Sequence, residues 1–178
     1  MFRSEVTAES LLRPLNPPQR DAVTTTKGPV LVLAGAGSGK TRVIAHRIAY
    51  LLGVEGVNPR SVIAVTFTNK AAAEMRQRVE ALVLPAGIRS PLISTFHSTC
   101  VRILRERSGQ AGLPASFVIY DEDDRQALVK EAMRELDFDE RTLTPGAVVH
   151  RISHAKNQML SVEEVEQLAR TPREERIA

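Results

Sequence analysis

Apolar positions in the first hundred residues alternate between two patterns. Short β-branched runs, "GPVLVLA" (28–34), "SVIAVTF" (61–67) and "PLISTF" (91–96), predict three buried strands. Each leads into a stretch with helical spacing: "TRVIAHRIAYLL" (41–52), "NKAAAEMRQRVEALV" (69–83) and "STCVRILRER" (98–107). In the first helix Ile44, Ile48 and Leu51 share a face, and Gly53 is placed to end it. In the second, Ala72, Met75, Val79 and Leu82 form one stripe. Three strand–helix units in a row predict an α/β fold whose parallel sheet is buried on both faces.

The pattern changes around "SGQAGLP" (108–114). Beyond it, "DDRQALVKEAMREL" (123–136), "PGAVVHRISHAKNQ" (145–158) and "SVEEVEQLAR" (161–170) are amphipathic helix patterns. Ser161 with Glu164 makes a capping box ahead of the last. The closing "TPREERIA" is polar and expected to be open. The expected organisation is a partial α/β core over 1–107 and a helical subdomain over 108–178.

Charge sharpens that division. Residues 1–107 carry 15 Lys+Arg against 7 Asp+Glu, giving +8, whereas residues 108–178 carry 9 against 14, giving −5. The first part has the electrostatics of a polyanion binder, although a solvated basic face has the same composition. With 43% apolar and 25% charged residues, the chain has an ordinary globular balance. No apolar run reaches the ~18 residues of a membrane span, and "MFRSEVTAES" lacks the apolar core of a secretory signal. Cys100 is the only cysteine, so no intrachain disulfide forms, which fits a reducing cytoplasm. It is expected as a small buried side chain on a helix.

The densest chemistry lies in "AGAGSGKT", Ala34–Thr41, between a predicted strand and a predicted helix. The phosphate-loop pattern is G-x-x-x-x-G-K-[ST], and Ala34 stands where its first glycine belongs. Gly35, Gly37 and Gly39 still free the backbone to curl around a phosphate. Backbone N–H groups from Ala34 through Gly39, including Ala36 and Ser38, and the helix N-terminus are expected to hold phosphate oxygens. Lys40 then reaches the β/γ-phosphates and the Thr41 hydroxyl ligates Mg²⁺. These two are the candidate catalytic residues. A carboxylate for the metal is harder to find. Asp121 and Glu122 in "FVIYDEDD" (117–124) have the right chemistry, but they open an acidic helix start, where capping is the expected role.

In "LNPPQRDAV" (15–23), Asn16 is an N-cap, Pro17 the first helical residue, and Gln19 the capping-box partner three residues on. A primary amide also offers one donor and one acceptor to an adenine edge. His150 and His154 lie four apart on a predicted helix with no third metal ligand in view, and solvent exposure is the expected reading.

Together, "LNPPQRDAV", "AGAGSGKTR", "VTFTNKAAAEMRQRV" and "STFHSTCVRILR" closely resemble the start of UvrD/Rep/PcrA-type superfamily 1 DNA helicases. The resemblance covers the whole first part. It implies a RecA-like P-loop core interrupted by a helical insertion, to which "FVIYDEDD" resembles the entry. It implies that Gln19 contacts adenine, that Arg42 packs near the base, and that Ala34 is the usual residue of the loop.

In α/β sheets ligands sit beyond the carboxyl ends of the strands. Thr66, Phe67, Thr68, Asn69 and Lys70 lie there, as do Thr95, Phe96 and His97 beside Ser94. Two of the chain's five Phe fall at these ends. Hydroxyls and cations for phosphates, with rings for bases, suit a single nucleic-acid strand. On local chemistry Phe67 and Phe96 serve equally as core residues and His97 as a cap; with the resemblance, DNA contact is expected.

The resemblance further implies ATP and Mg²⁺ as cofactors, with single-stranded DNA and DNA duplex junctions as partners. Translocation would run 3′→5′. The Walker B segment with its Asp-Glu pair and a second RecA-like core would be the partner pieces, since neither motif occurs here, and this chain alone is expected to bind without unwinding. Two other functions fit a phosphate loop: a self-contained small P-loop phosphotransferase, and a non-catalytic nucleotide- or DNA-binding module.

Overall fold

The computed structural model of the chain describes residues 6–138 and 143–171. Two compact units divide between Ala115 and Ser116.

The first unit begins with two short helices, α1 (Ala8–Leu12) and α2 (Pro17–Thr24), each closed by a capping box, Thr7 with Ser10 and Asn16 with Gln19. Helix α3 (Lys40–Gly53) follows, then a 3₁₀ turn at Pro59–Ser61 that delivers β1 (Ile63–Thr66). Helix α4 (Asn69–Val83), β2 (Leu92–Thr95) and α5 (Phe96–Glu106) complete it. β1 and β2 pair in parallel, with Ile63 opposite Leu92 and Thr66 opposite Thr95. That register places Ala64 and Ile93 on one face, and Ile63 and Leu92 on the other.

Small residues decide how the helices pack. Ala45, Ile48, Ala49 and Leu52 of α3 meet Met75, Val79 and Val83 of α4, and Ile93 of β2 joins the same core. A smaller cluster of Leu15, Val23 and Val43 fixes α2 to α3. Gly53 serves close approach: a Cβ there would stand 2.5 Å from Val6 Cγ1.

Four expectations are corrected. The run 28–34 forms no strand: a strand needs a ladder partner, and no backbone–backbone hydrogen bond involves residues 28–34 among the described residues. Leu31 is 82% and Leu33 85% exposed. The sheet is consequently two-stranded and covered well on one face only, with Ile63 and Val65 half exposed on the other. Finally, the buried stripe of α3 is rotated from the predicted one. Ile48 is buried, Ile44 is exposed and Leu51 half-buried, because Ala45 and Ala49 allow the closest approach to the core. Cys100 on α5 is half-buried rather than buried.

The second unit is helical among the described residues: α6 (Glu122–Glu135), α7 (Pro145–Asn157) and α8 (Val162–Leu168). Met133, Leu143 and Val148 form its core, with Val129 and Phe138 against them. Asp121 caps α6 through a reciprocal bond with Asp124, and Ser161 with Glu164 caps α8. His150 and His154 are exposed. The polar tail beyond Thr171 lies outside the described residues. No described helix is long and apolar enough to cross a membrane.

Candidate nucleotide and nucleic-acid site

The phosphate loop is a turn closed on itself. Gly35 O accepts from Ser38 N at 3.4 Å and from Ser38 Oγ at 2.7 Å. Gly37 and Gly39 have φ of 74° and 85°, the left-handed region that side chains disfavour. Gly39 is also the N-cap of α3 and offers no side-chain acceptor to its first turn. The first N–H groups of α3, at the positive end of its dipole, are therefore left to an anion. Lys40 Nζ donates to Ala34 O at 2.9 Å and Gly35 O at 2.6 Å, so the ammonium lies folded over the loop it is expected to serve. Thr41 is half-buried and Arg42 exposed, one and two residues further along α3. Ala36 is exposed between the glycines.

Gln19 reaches this loop from α2. Its Oε1 accepts from Asn16 N at 3.2 Å, and its Nε2 donates to Ser38 O at 3.1 Å. The capping role and a contact with the phosphate loop are thus held by one amide. A second N–H and a second lone pair remain for a ligand edge. The approach is close: a Cβ at Gly39 would stand 3.2 Å from Gln19 Nε2, so the amide would have to give by a few tenths of an ångström.

Buried and partly buried polar bonds hold α1 and α2 in position. Arg47 Nη1 donates to Ala22 O at 2.5 Å, and Arg20 Nε to Leu15 O at 2.8 Å. His46 Nδ1 lies 2.8 Å from Leu11 O, and because a carbonyl only accepts, that nitrogen carries the proton. Burial holds the His46 pKa below its ordinary value. The Leu11 carbonyl opposes that shift, and the Arg42 charge adds to it.

The carboxyl ends of the two strands lie side by side through the Thr66–Thr95 register. Thr66 Oγ1 donates to Thr68 O at 3.0 Å, and Thr68 Oγ1 accepts from Ala71 N at 3.1 Å as the cap of α4. Between them Phe67 is 100% exposed. Asn69 and Lys70 are exposed in the first turn of α4. Across the sheet Phe96 and His97 are exposed at the start of α5. Neither ring belongs to the core: Phe67 is fully open for stacking, and Phe96 is 60% exposed. Thr95 is different: buried, it accepts from Ser98 N at 3.3 Å and pairs with Ser98 Oγ at 2.8 Å, so its hydroxyl is engaged in capping.

Sequence reasoning missed Ser98 and Thr99, which lock this strand end through the Thr95 pair and a 2.6 Å bond between Ser94 Oγ and Thr99 Oγ1. The hydroxyl-rich spelling "STFHST" carried that signal through the three-residue spacing of a cap. Asp121 and Glu122 lie at the cap and first residue of α6, as expected for helix capping. Among the described residues no three His, Cys, Asp or Glu gather to hold a metal.

Residues 15–178 match the UvrD/REP helicase N-terminal domain family. The ATP-dependent DNA helicase PcrA of Bacillus subtilis (strain 168) is 46% identical over 162 residues, covering 91% of this chain and 22% of the relative. PcrA of Staphylococcus epidermidis (strain ATCC 12228 / FDA PCI 1200) is 44% identical over 162 residues, again 22% of its length. PcrA of Staphylococcus aureus (strain NCTC 8325 / PS 47) is 46% identical over 152 residues, 20% of its length. The chain spans about a fifth of these relatives.

Proposed function

The chain belongs to the UvrD/REP helicase family, and on that premise we propose that it forms the ATP-binding wall of an ATP-dependent DNA helicase motor. The observation that carries this is the loop itself: left-handed Gly37 and Gly39 leading into an α3 N-terminus with no side-chain cap, and Lys40 folded over it. The wall is a partial RecA-like core whose two strand ends carry single-stranded DNA.

Each residue then has a physical task. The N–H groups of the 35–40 turn and the first turn of α3 donate to the phosphate oxygens, aided by the helix dipole. Lys40 exchanges its two carbonyl partners for the β/γ-phosphates. Gln19 presents its remaining donor and acceptor to adenine, and Arg42 packs beside the base. Thr41 contributes a hydroxyl to Mg²⁺, which when bound supplies charge neutralisation on the phosphates. At the strand ends Phe67 and Phe96 stack bases while Thr66, Thr68, Asn69, Lys70 and His97 face the backbone, with Thr95 positioning its strand end. A Walker B carboxylate pair and a second core are the partners against which this wall opens and closes, driving 3′→5′ movement along single strands and into duplex junctions.

The test is steady-state ATP turnover by the 178-residue chain, with and without a (dT)₁₆ oligonucleotide, beside direct titration of a fluorescent ATP analogue. Saturable nucleotide binding without turnover is the expected result. DNA-stimulated turnover by this chain alone would show that the opposite wall is dispensable. DNA-independent phosphoryl transfer to a small acceptor would instead make it a phosphotransferase.

A further inference from the structure

The first unit carries a second concave surface, at the amino ends of the strands. Ile63 and Leu92, the first residues of β1 and β2, lie on its wall, whereas Thr66 and Thr95 mark the other end. The groove encloses about 1210 Å³, more than the roughly 300–1,000 Å³ of a small-molecule pocket. Nothing in the nucleotide or DNA roles above uses any residue of it.

Its composition is specific. Arg60, Arg76, Arg89 and Arg102 come from four different segments, and Glu106 is the only acid among the lining residues. Glu106 is paired with Arg102 at 2.9 Å, and Arg76 Nη2 donates to Ile93 O at 2.5 Å. The Arg60 and Arg89 guanidinium groups are exposed and take no partner among the described residues. Between the arginines the lining is aliphatic, with Ile63 55% and Ile103 49% exposed. The Ser90 hydroxyl on the same wall is shielded from solvent and has no hydrogen-bond partner among the described residues.

An apolar floor between unneutralised guanidinium groups, without one aromatic ring, fits a protein segment better than a nucleic-acid strand. A strand requires cations and gains from rings on which bases stack, but it has no use for a floor of isoleucine and leucine. An amphipathic segment matches both features, laying its apolar side on the floor and its carboxylates against the arginines. We propose that this groove docks an acidic amphipathic peptide segment of a partner protein, at the end of the sheet away from the strand ends assigned to DNA.

The probe is a display library of random 12-residue peptides selected on the full 178-residue chain, followed by anisotropy titration of the enriched peptides. Enrichment of peptides with apolar residues at helical spacing and several Asp or Glu is expected. Their affinity should fall at least tenfold in the Arg60→Glu/Arg89→Glu double variant and in Ile63→Ser, while fluorescent ATP binding and the melting temperature of the double variant stay unchanged. Enrichment without acidic residues, or affinities that ignore both variants, overturns the proposal. So does weaker (dT)₁₆ binding in the double variant without any peptide effect, which assigns the groove to nucleic acid. Concentration-dependent self-association lost in the double variant would likewise overturn it, by giving the groove to a second copy of the chain.

Discussion

Two populations of apolar residue share the first unit, and they meet opposite fates. On α3, α4 and β2, residues such as Ala49, Val79 and Ile93 are sealed in one core. Around the phosphate loop and the strand ends, Leu31, Leu33 and Phe67 stand in solvent. Hydrophobicity does not separate the two groups. The difference lies in how backbone polar groups are satisfied: a helix closes its own hydrogen bonds and needs only a face to bury, whereas an extended run needs a neighbour's ladder before its side chains find shelter. The scaffold is thus self-sufficient, and the working rim is left open.

The contrast is tested first by charge placement. Val79→Asp should cost about 4 kcal/mol or more in chemical denaturation, because it buries an unpaired carboxylate. Leu33→Asp, equally drastic on paper, should change stability by no more than about 0.5 kcal/mol. A large loss from Leu33→Asp would mean that the 28–34 run packs against a partner in the folded chain.

Lys40→Ala comes next. It should weaken binding of a fluorescent ATP analogue by about 1.5–3 kcal/mol through loss of a charged phosphate contact. Retained affinity would count against the phosphate-loop assignment. Phe67→Ala should cost about 1–3 kcal/mol in (dT)₁₆ affinity with an unchanged melting temperature, since its ring is fully exposed. Unchanged DNA affinity would remove the stacking role.

The smallest effect concerns the scaffold. His46 is buried with its pKa lowered, so the unfolded chain binds the proton first as pH falls. Its contribution is complete above the ordinary value near 6.5 and is lost as pH drops from there toward the lower folded value. Thermal melts between pH 7.5 and 5 should show that decline, and His46→Phe should flatten it. An identical slope in the variant would detach His46 from the acid sensitivity.

What could be read from the sequence follows the same division. Caps were legible because their chemistry is local: Asn16 with Gln19 and Ser161 with Glu164 each lie three residues apart, and Asp121 opens an acidic helix start. Glycines and a lysine in fixed order announced the phosphate loop. The stripe of α3 was misplaced because Ile44 and Leu51 outweigh Ala45 and Ala49 in apolarity, whereas packing rewards fit. The run 28–34 spells a strand, but spelling cannot supply a ladder. The Gln19–Ser38 bond spans 19 residues and ends on a backbone carbonyl, an acceptor that every residue carries and no motif marks.

One atom in the loop has a consequence of its own. Gly35 O receives three donors, Ser38 N, Ser38 Oγ and Lys40 Nζ, whereas a carbonyl oxygen offers two lone pairs. Such overcrowding divides the attraction, so no single donor holds the oxygen at full strength. If Lys40 leaves for a phosphate, as proposed, Gly35 O keeps both serine donors, and only the exposed Ala34 gives up its carbonyl's lysine partner, to water. On the proposed reading, the loop's resting shape is an exchangeable loan of the lysine, to be called in by a triphosphate.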